Sequence, residues 1–272
     1  MPEVNVNDIT LYYKSEGQGE PLMLLAGLSY SLWMWHRMVP ILAEQFRVIT
    51  FDNRGVGRSD KPRGPYSAQM LAADTAGLLQ ALELPHAAIM GHSMGGAVAQ
   101  ALVLDYPHLV DRLILSATNF GGPNSVPPPQ EAMAVLLDPS GDPEERFYRG
   151  LSVSTAPGFA EREPQIVAQW LAHRKEYPPD PEAYQAQLAV GLALFSAEAS
   201  FEHRLPQVQV PTLILSGEQD RVIPPENASL LAKQIPESTL HILPRAGHFF
   251  PMETPDEAAR LIMQFLHANS LD

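Results

Sequence analysis

Short runs in which nearly every residue is apolar recur along this chain, each followed by a segment of helical spacing. The first are Pro21-Leu22-Met23-Leu24-Leu25, Arg47-Val48-Ile49-Thr50-Phe51, Ala87-Ala88-Ile89-Met90 and Arg112-Leu113-Ile114-Leu115-Ser116. A strand without a polar face must be covered on both sides, and strands that alternate with helices return parallel through crossovers. The pattern predicts an α/β chain, with a mostly parallel central sheet and helices on both faces. Helices are expected over 32–45, 67–83 and 94–105, the last built from small apolar residues that pack tightly on a sheet. Val4–Val6 and Ile9–Tyr13 alternate around Asn7-Asp8, which predicts a β-hairpin ahead of the sheet.

The rhythm breaks after Thr118. Residues 121–206 hold Pro127-Pro128-Pro129, Pro178-Pro179 and helical patches, including 163–175 and 181–197, but no buried-strand pattern. Strands resume at Pro211–Ser216 and Thr239–Leu243, and an amphipathic segment over 255–267 closes the chain. The expected organisation is a core of 1–120 and 207–272 interrupted by a helical insertion over 121–206.

One strand-to-helix junction carries chemistry. Gly91-His92-Ser93-Met94-Gly95, followed by Gly96, fits the pattern G-x-S-x-G between a buried strand and a small-residue helix. A serine displayed on so tight a turn needs neighbours without bulk, and the turn leaves helix N-terminal N–H groups beside the hydroxyl. A serine that merely caps a closely packed helix would read similarly.

Serine is a weak nucleophile without a base. Of the nine histidines, His248 lies in a connection after the last strand, and such connections gather at the carboxyl edge of a parallel sheet, where Ser93 also stands. His241 falls inside a strand pattern, and His92 adjoins the serine on a turn where neighbours diverge. Asp220 follows the strand ending at Ser216 and is the candidate to orient the imidazole, with Glu218 its nearest rival and Asp52 a weaker one. The chain order Ser93, Asp220, His248 is nucleophile, acid, base.

Bulk properties remove other classes. The formal net charge of −13 repels phosphate backbones and anionic membrane surfaces, so neither nucleic acid nor membrane is an expected partner. There is no cysteine, hence no thiolate nucleophile, disulfide or Cys-ligated zinc. No histidine or carboxylate spacing supports a metal site, and no cofactor is expected. The N-terminus lacks a basic region followed by an apolar run, so the expected location is the cytoplasm.

From end to end the chain resembles the α/β-hydrolase fold family. The resemblance rests on Gly91–Gly96, on Asp52-Asn53-Arg54-Gly55-Val56-Gly57-Arg58-Ser59-Asp60, on Pro211–Asp220 and on Gly247-His248. It implies that residues 121–206 are a helical cap and that the nearest members are carboxylesterases, enol-lactonases, C–C bond hydrolases and cofactor-free perhydrolases. It also implies oxyanion donors at the backbone N–H groups of Leu28 and Met94. In the family a histidine usually precedes the glycine ending the third strand, and here the pair is Ala26-Gly27. Haloalkane dehalogenases and epoxide hydrolases carry aspartate where Ser93 stands. The stretch Asp52–Asp60 is expected to be structural, tied by Arg54 and its acidic neighbours.

The expected activity is hydrolysis of a small-molecule carboxylic ester or lactone through an acyl-enzyme on Ser93. A C–C bond hydrolase or perhydrolase would share the same three side chains, and a ligand-binding receptor could retain them without turnover. Trp33, Phe120, Trp170, Phe195 and Phe249 are candidates to line an apolar substrate pocket.

Overall fold

The computed structural model describes residues 2–194 and 196–269. Among these, eight strands form one sheet in the order β1-β2-β4-β3-β5-β6-β7-β8: β1 (Glu3–Val6), β2 (Ile9–Glu16), β3 (Pro21–Leu25), β4 (Arg47–Phe51), β5 (Ala87–His92), β6 (Val110–Ser116), β7 (Thr212–Gly217) and β8 (Ser238–Leu243). The β1–β2 hairpin turns at Asn7, whose φ of 50° is one that asparagine tolerates. β1 and β2 pair antiparallel, β2 joins β4 antiparallel, and the remaining five pairings are parallel. All six residues of β5 are buried, as a central strand covered on both faces requires.

The helices are α1 (Val39–Leu42), α2 (Ala68–Ala81), α3 (Met94–Asp105), α4 (Gln130–Leu137), α5 (Pro143–Ser154), α6 (Phe159–Arg162), α7 (Pro164–Glu176), α8 (Pro181–Ala193), α9 (Glu226–Gln234), α10 (Phe250–Glu253) and α11 (Pro255–Ala268). Two apolar cores result. One holds Leu71, Leu79, Val98 and Leu102 of α2 and α3 against Ile89 and Leu113. The other holds Trp35, Leu42, Ile262 and Leu266 against Leu24 and Met90. The sheet therefore separates two helical layers. None of the described helices is long and apolar enough to cross a membrane.

One expected helix is corrected. Over 32–45 the chain forms a 3-10 turn at Leu32–Trp35 and only the single short helix α1. Pro40 has no N–H to give the His36 carbonyl, so a continuous α-helix cannot pass through it. The Leu32 N–H goes instead to Asp52 Oδ1, at 2.8 Å, and Trp33, Met34 and Trp35 bury their side chains.

Helices α4 to α8 lie between β6 and β7, within the span where strand patterns were missing. The Asp52–Asp60 loop is tied as expected, but by remote partners. Arg54 pairs with Asp74 of α2, both buried, and more loosely with Asp8. Asp60 accepts the Thr10 N–H, and Ser59 accepts the Tyr12 N–H.

Candidate active site

β5 ends at His92 and α3 starts at Met94, so Ser93 alone makes the turn. Its φ of 54° and ψ of −119° are strained for a residue with a Cβ. Close backbone approach enforces this. A Cβ on Gly91 would lie 2.1 Å from the Gly95 carbonyl oxygen, and one on Gly95 would lie 2.3 Å from that of Leu25. Ser93 is held at both ends of its peptide: its N–H donates to the Ser116 carbonyl and its carbonyl accepts from Thr118 Oγ1, each at 2.9 Å.

His248 and Asp220 meet. His248 Nδ1 lies 2.8 Å from Asp220 Oδ2, and both side chains are buried. The other carboxylate oxygen of Asp220 accepts the N–H groups of Val222 and Ile223, each at 2.8 Å. With a carboxylate at Nδ1, the ring proton belongs there and Nε2 keeps its lone pair. The His248 ring stands 4.9 Å from that of His92, the residue preceding Ser93.

The rivals are engaged elsewhere. Glu218 accepts the Arg245 N–H, and Asp52 accepts those of Leu32 and Arg58. His241 sits in β8. His92 points into the core, with Nδ1 2.9 Å from Ser116 Oγ. Burial, aided by neighbouring His248, holds its pKa well below the ordinary imidazole range, so it is neutral.

Among the described residues the N–H groups of Leu28 and Met94 have no hydrogen-bond partner. For Met94 this follows from its place as the first residue of α3. The loop after β3 runs beside the serine, since a Cβ on Gly27 would lie 3.2 Å from Ser93 Cβ.

The apolar candidates separate. The Phe249 ring lies 5.6 Å from His248 and 5.1 Å from Tyr30. Trp33 packs on Tyr30 and stacks on His173, and it borders a cavity of about 380 Å³ together with His36, Arg58 and Tyr177. Ser93 and His248 do not line that cavity. Phe120 and Trp170 are fully buried, Phe120 in the core of α2 and α3 and Trp170 stacked on Phe159. Phe195 lies outside the described residues.

One buried carboxyl beside the site had no sequence signal. Glu253, in α10, accepts the Gly247 N–H at 3.2 Å and the Ala156 N–H at 2.7 Å, joining the histidine loop to the segment after α5. Burial pushes its pKa up to about 7; the two N–H groups and His248 pull it down, and Asp220 pushes it further up. The folded protein thus keeps this proton to about pH 7, whereas the unfolded chain releases it near 4.5. Between those values the native state binds more protons, so the Glu253 contribution to stability falls as pH rises. Glu253→Gln, which cannot ionise, should gain thermal stability relative to the parent protein between pH 5 and pH 8. The gain is up to about 3 kcal/mol. Melting curves at both pH values check this, and a difference that stayed constant or shrank would contradict it.

The chain belongs to the alpha/beta hydrolase fold family, whose model matches residues 20–255. It is 32% identical over 246 residues to the poly(3-hydroxyalkanoate) depolymerase of Ectopseudomonas oleovorans, covering 90% of this chain and 84% of that protein. It is 30% identical over 284 residues to the 2-hydroxy-6-oxo-2,4-heptadienoate hydrolase of Pseudomonas putida, covering 98% of this chain and 93% of that one. Among solved structures, the enol-lactonase of Burkholderia xenovorans LB400 superposes with a TM-score of 0.82 at 27% identity, covering 98% of this chain and all of the other. The family and the names of these relatives support a hydrolase.

Proposed function

We propose that this hydrolase cleaves carboxylic esters or lactones through an acyl-enzyme on Ser93, with His248 as base and Asp220 as its orienting acid. The observation that carries the reading is the constellation around the strained turn: Ser93 at the start of α3 and against the Gly27 loop, the Leu28 and Met94 N–H groups without a partner among the described residues, and His248 held through Nδ1 by Asp220. Ser93 Oγ attacks the carbonyl carbon while His248 Nε2 takes the hydroxyl proton. The oxyanion is held by the Leu28 and Met94 N–H groups. Collapse expels the alcohol oxygen, which leaves with the proton from His248. Water then gives a proton to His248 and attacks the acyl carbon, and the carboxylic acid departs as Ser93 regains its proton. In a lactone the expelled oxygen stays within the acyl group, so the first step opens the ring and the second releases a single hydroxy acid.

The segment between β6 and β7 acts in this reading as the cap over Ser93, with Phe249 the apolar wall nearest the chemistry. The names of the depolymerase and enol-lactonase relatives support ester and lactone substrates. The test is a panel of p-nitrophenyl acyl esters, lactones and a 2-hydroxy-6-oxo dienoate given to the purified protein. Turnover of esters or lactones is expected. Turnover of the dienoate alone would move the reading to C–C cleavage, and saturable binding without product would move it to a receptor.

A further inference from the structure

The loop carrying Leu28 is held by groups outside the sheet. With Ala26 before Gly27, no imidazole is present there to fix it. Ser29, the next residue after Leu28, has a φ of 61°, in the left-handed region that serine enters only when its surroundings impose it. All three polar groups of Ser29 are bound by the helices between β6 and β7. Its N–H donates to Gln187 Oε1 of α8 at 2.8 Å. Its carbonyl accepts Arg174 Nη1 of α7 at 2.7 Å, and its Oγ accepts Arg174 Nη2 at 3.0 Å.

Both partners are themselves anchored. Gln187 is 1% exposed, and its Nε2 donates to the Arg54 carbonyl at 2.9 Å. The amide thus spans two core loops, and Arg54 is fixed in turn by Asp74. A buried amide with one partner on each side cannot reorient without leaving polar groups unpaired. The Arg174 guanidinium lies 5.2 Å over the Tyr30 ring, so its planar face packs while its edge bonds.

We propose that Gln187 and Arg174 are positioning residues for the oxyanion donor at Leu28, so that the helical insertion sets catalytic geometry as well as covering the site. The proposal rests on the reading of Ser93 as nucleophile and Leu28 N–H as donor. Because the loop passes against Ser93 Cβ, displacing Ser29 shifts the Leu28 N–H relative to the reacting carbon. A donor displaced by about 1 Å is expected to slow the chemical step about 10- to 100-fold, while ground-state binding barely changes.

The test compares Gln187→Met, Arg174→Met and Arg174→Lys with the parent protein. It uses steady-state kinetics on an ester and inhibition by a trifluoromethyl ketone, which adds to a serine as a tetrahedral oxyanion. The expected result is kcat lowered about 10- to 100-fold in both methionine variants, with KM within about threefold of the parent. Inhibitor affinity should fall in parallel, and Arg174→Lys should recover part of the loss. Unchanged kcat, or a KM effect with unchanged inhibitor affinity, would overturn the proposal. Arg174 is only half-buried, so its variants decide the matter should Gln187→Met fail to fold. Labelling of the parent protein by a fluorophosphonate separates the two ideas: a parent that neither labels nor turns over contradicts the nucleophile, whereas a parent that does both while its variants match it contradicts only the brace.

Discussion

Replacing Ser93 by alanine is expected to lower kcat on an ester by about 10³-fold or more, with the fold unchanged. The hydroxyl is the one group in the proposed path that forms a covalent bond to substrate, and the residual rate reflects only the N–H groups and binding. Alanine keeps the Cβ that the turn already accommodates, and the turn is stabilised by backbone contacts to Ser116 and Thr118 that survive the change. The strain at φ 54° remains, so the melting temperature should move little. Steady-state rates with circular dichroism check both halves. A variant that keeps its turnover removes Ser93 from the mechanism, and one that loses its fold with its activity calls for Ser93→Cys as the replacement probe.

The second large effect belongs to Asp220. Asp220→Asn should cost at least about 10²-fold in kcat, because an amide can present its N–H₂ to Nδ1 and reverse the imidazole tautomer. The carboxylate also takes two backbone N–H groups through Oδ1, so the side chain is fixed in the position that meets Nδ1. Glu218→Gln should cost much less, since Glu218 faces the Arg245 N–H and not the ring. Kinetics of the two variants side by side decide between the acids. The reverse order of effects would transfer the role to Glu218.

Much of this arrangement was legible because it depends on local chemistry. A run without polar faces demands a covered strand, so the central strands could be read from Leu22–Leu25 or Ala87–Met90 alone. G-x-S-x-G marks a turn whose glycines answer to backbone contacts at Gly91 and Gly95. What escaped was set by one residue or by distant partners. Pro40 interrupted the continuous helix that the apolar spacing of 32–45 allows, and stands in the first turn of the short α1. In α5 the signal was present, with Asp142 and Glu145 forming a capping box and Pro143 in the first turn, yet a single helix in a proline-rich stretch does not announce its neighbours. Gln187, Arg174 and Glu253 gave no signal, because each acts through backbone groups that meet it only in the folded chain: Gln187 bonds Ser29, 158 residues away, and Glu253 bonds Ala156, 97 residues away.

The pocket was the least readable part. Of the described candidates Phe249 alone lies against His248, while Trp33 borders a separate cavity and Phe120 and Trp170 fill cores. Aromatic residues satisfy a core and a pocket equally well, so composition cannot tell them apart.

Ser93 is the proposed covalent nucleophile. Its most direct test is intact-mass analysis after treatment with a fluorophosphonate, followed by peptide mapping. One adduct per chain is expected, on the peptide containing Gly91-His92-Ser93-Met94-Gly95, absent in Ser93→Ala and slow to form in Asp220→Asn. An adduct on another residue, or none from a protein that turns over esters, would contradict the account.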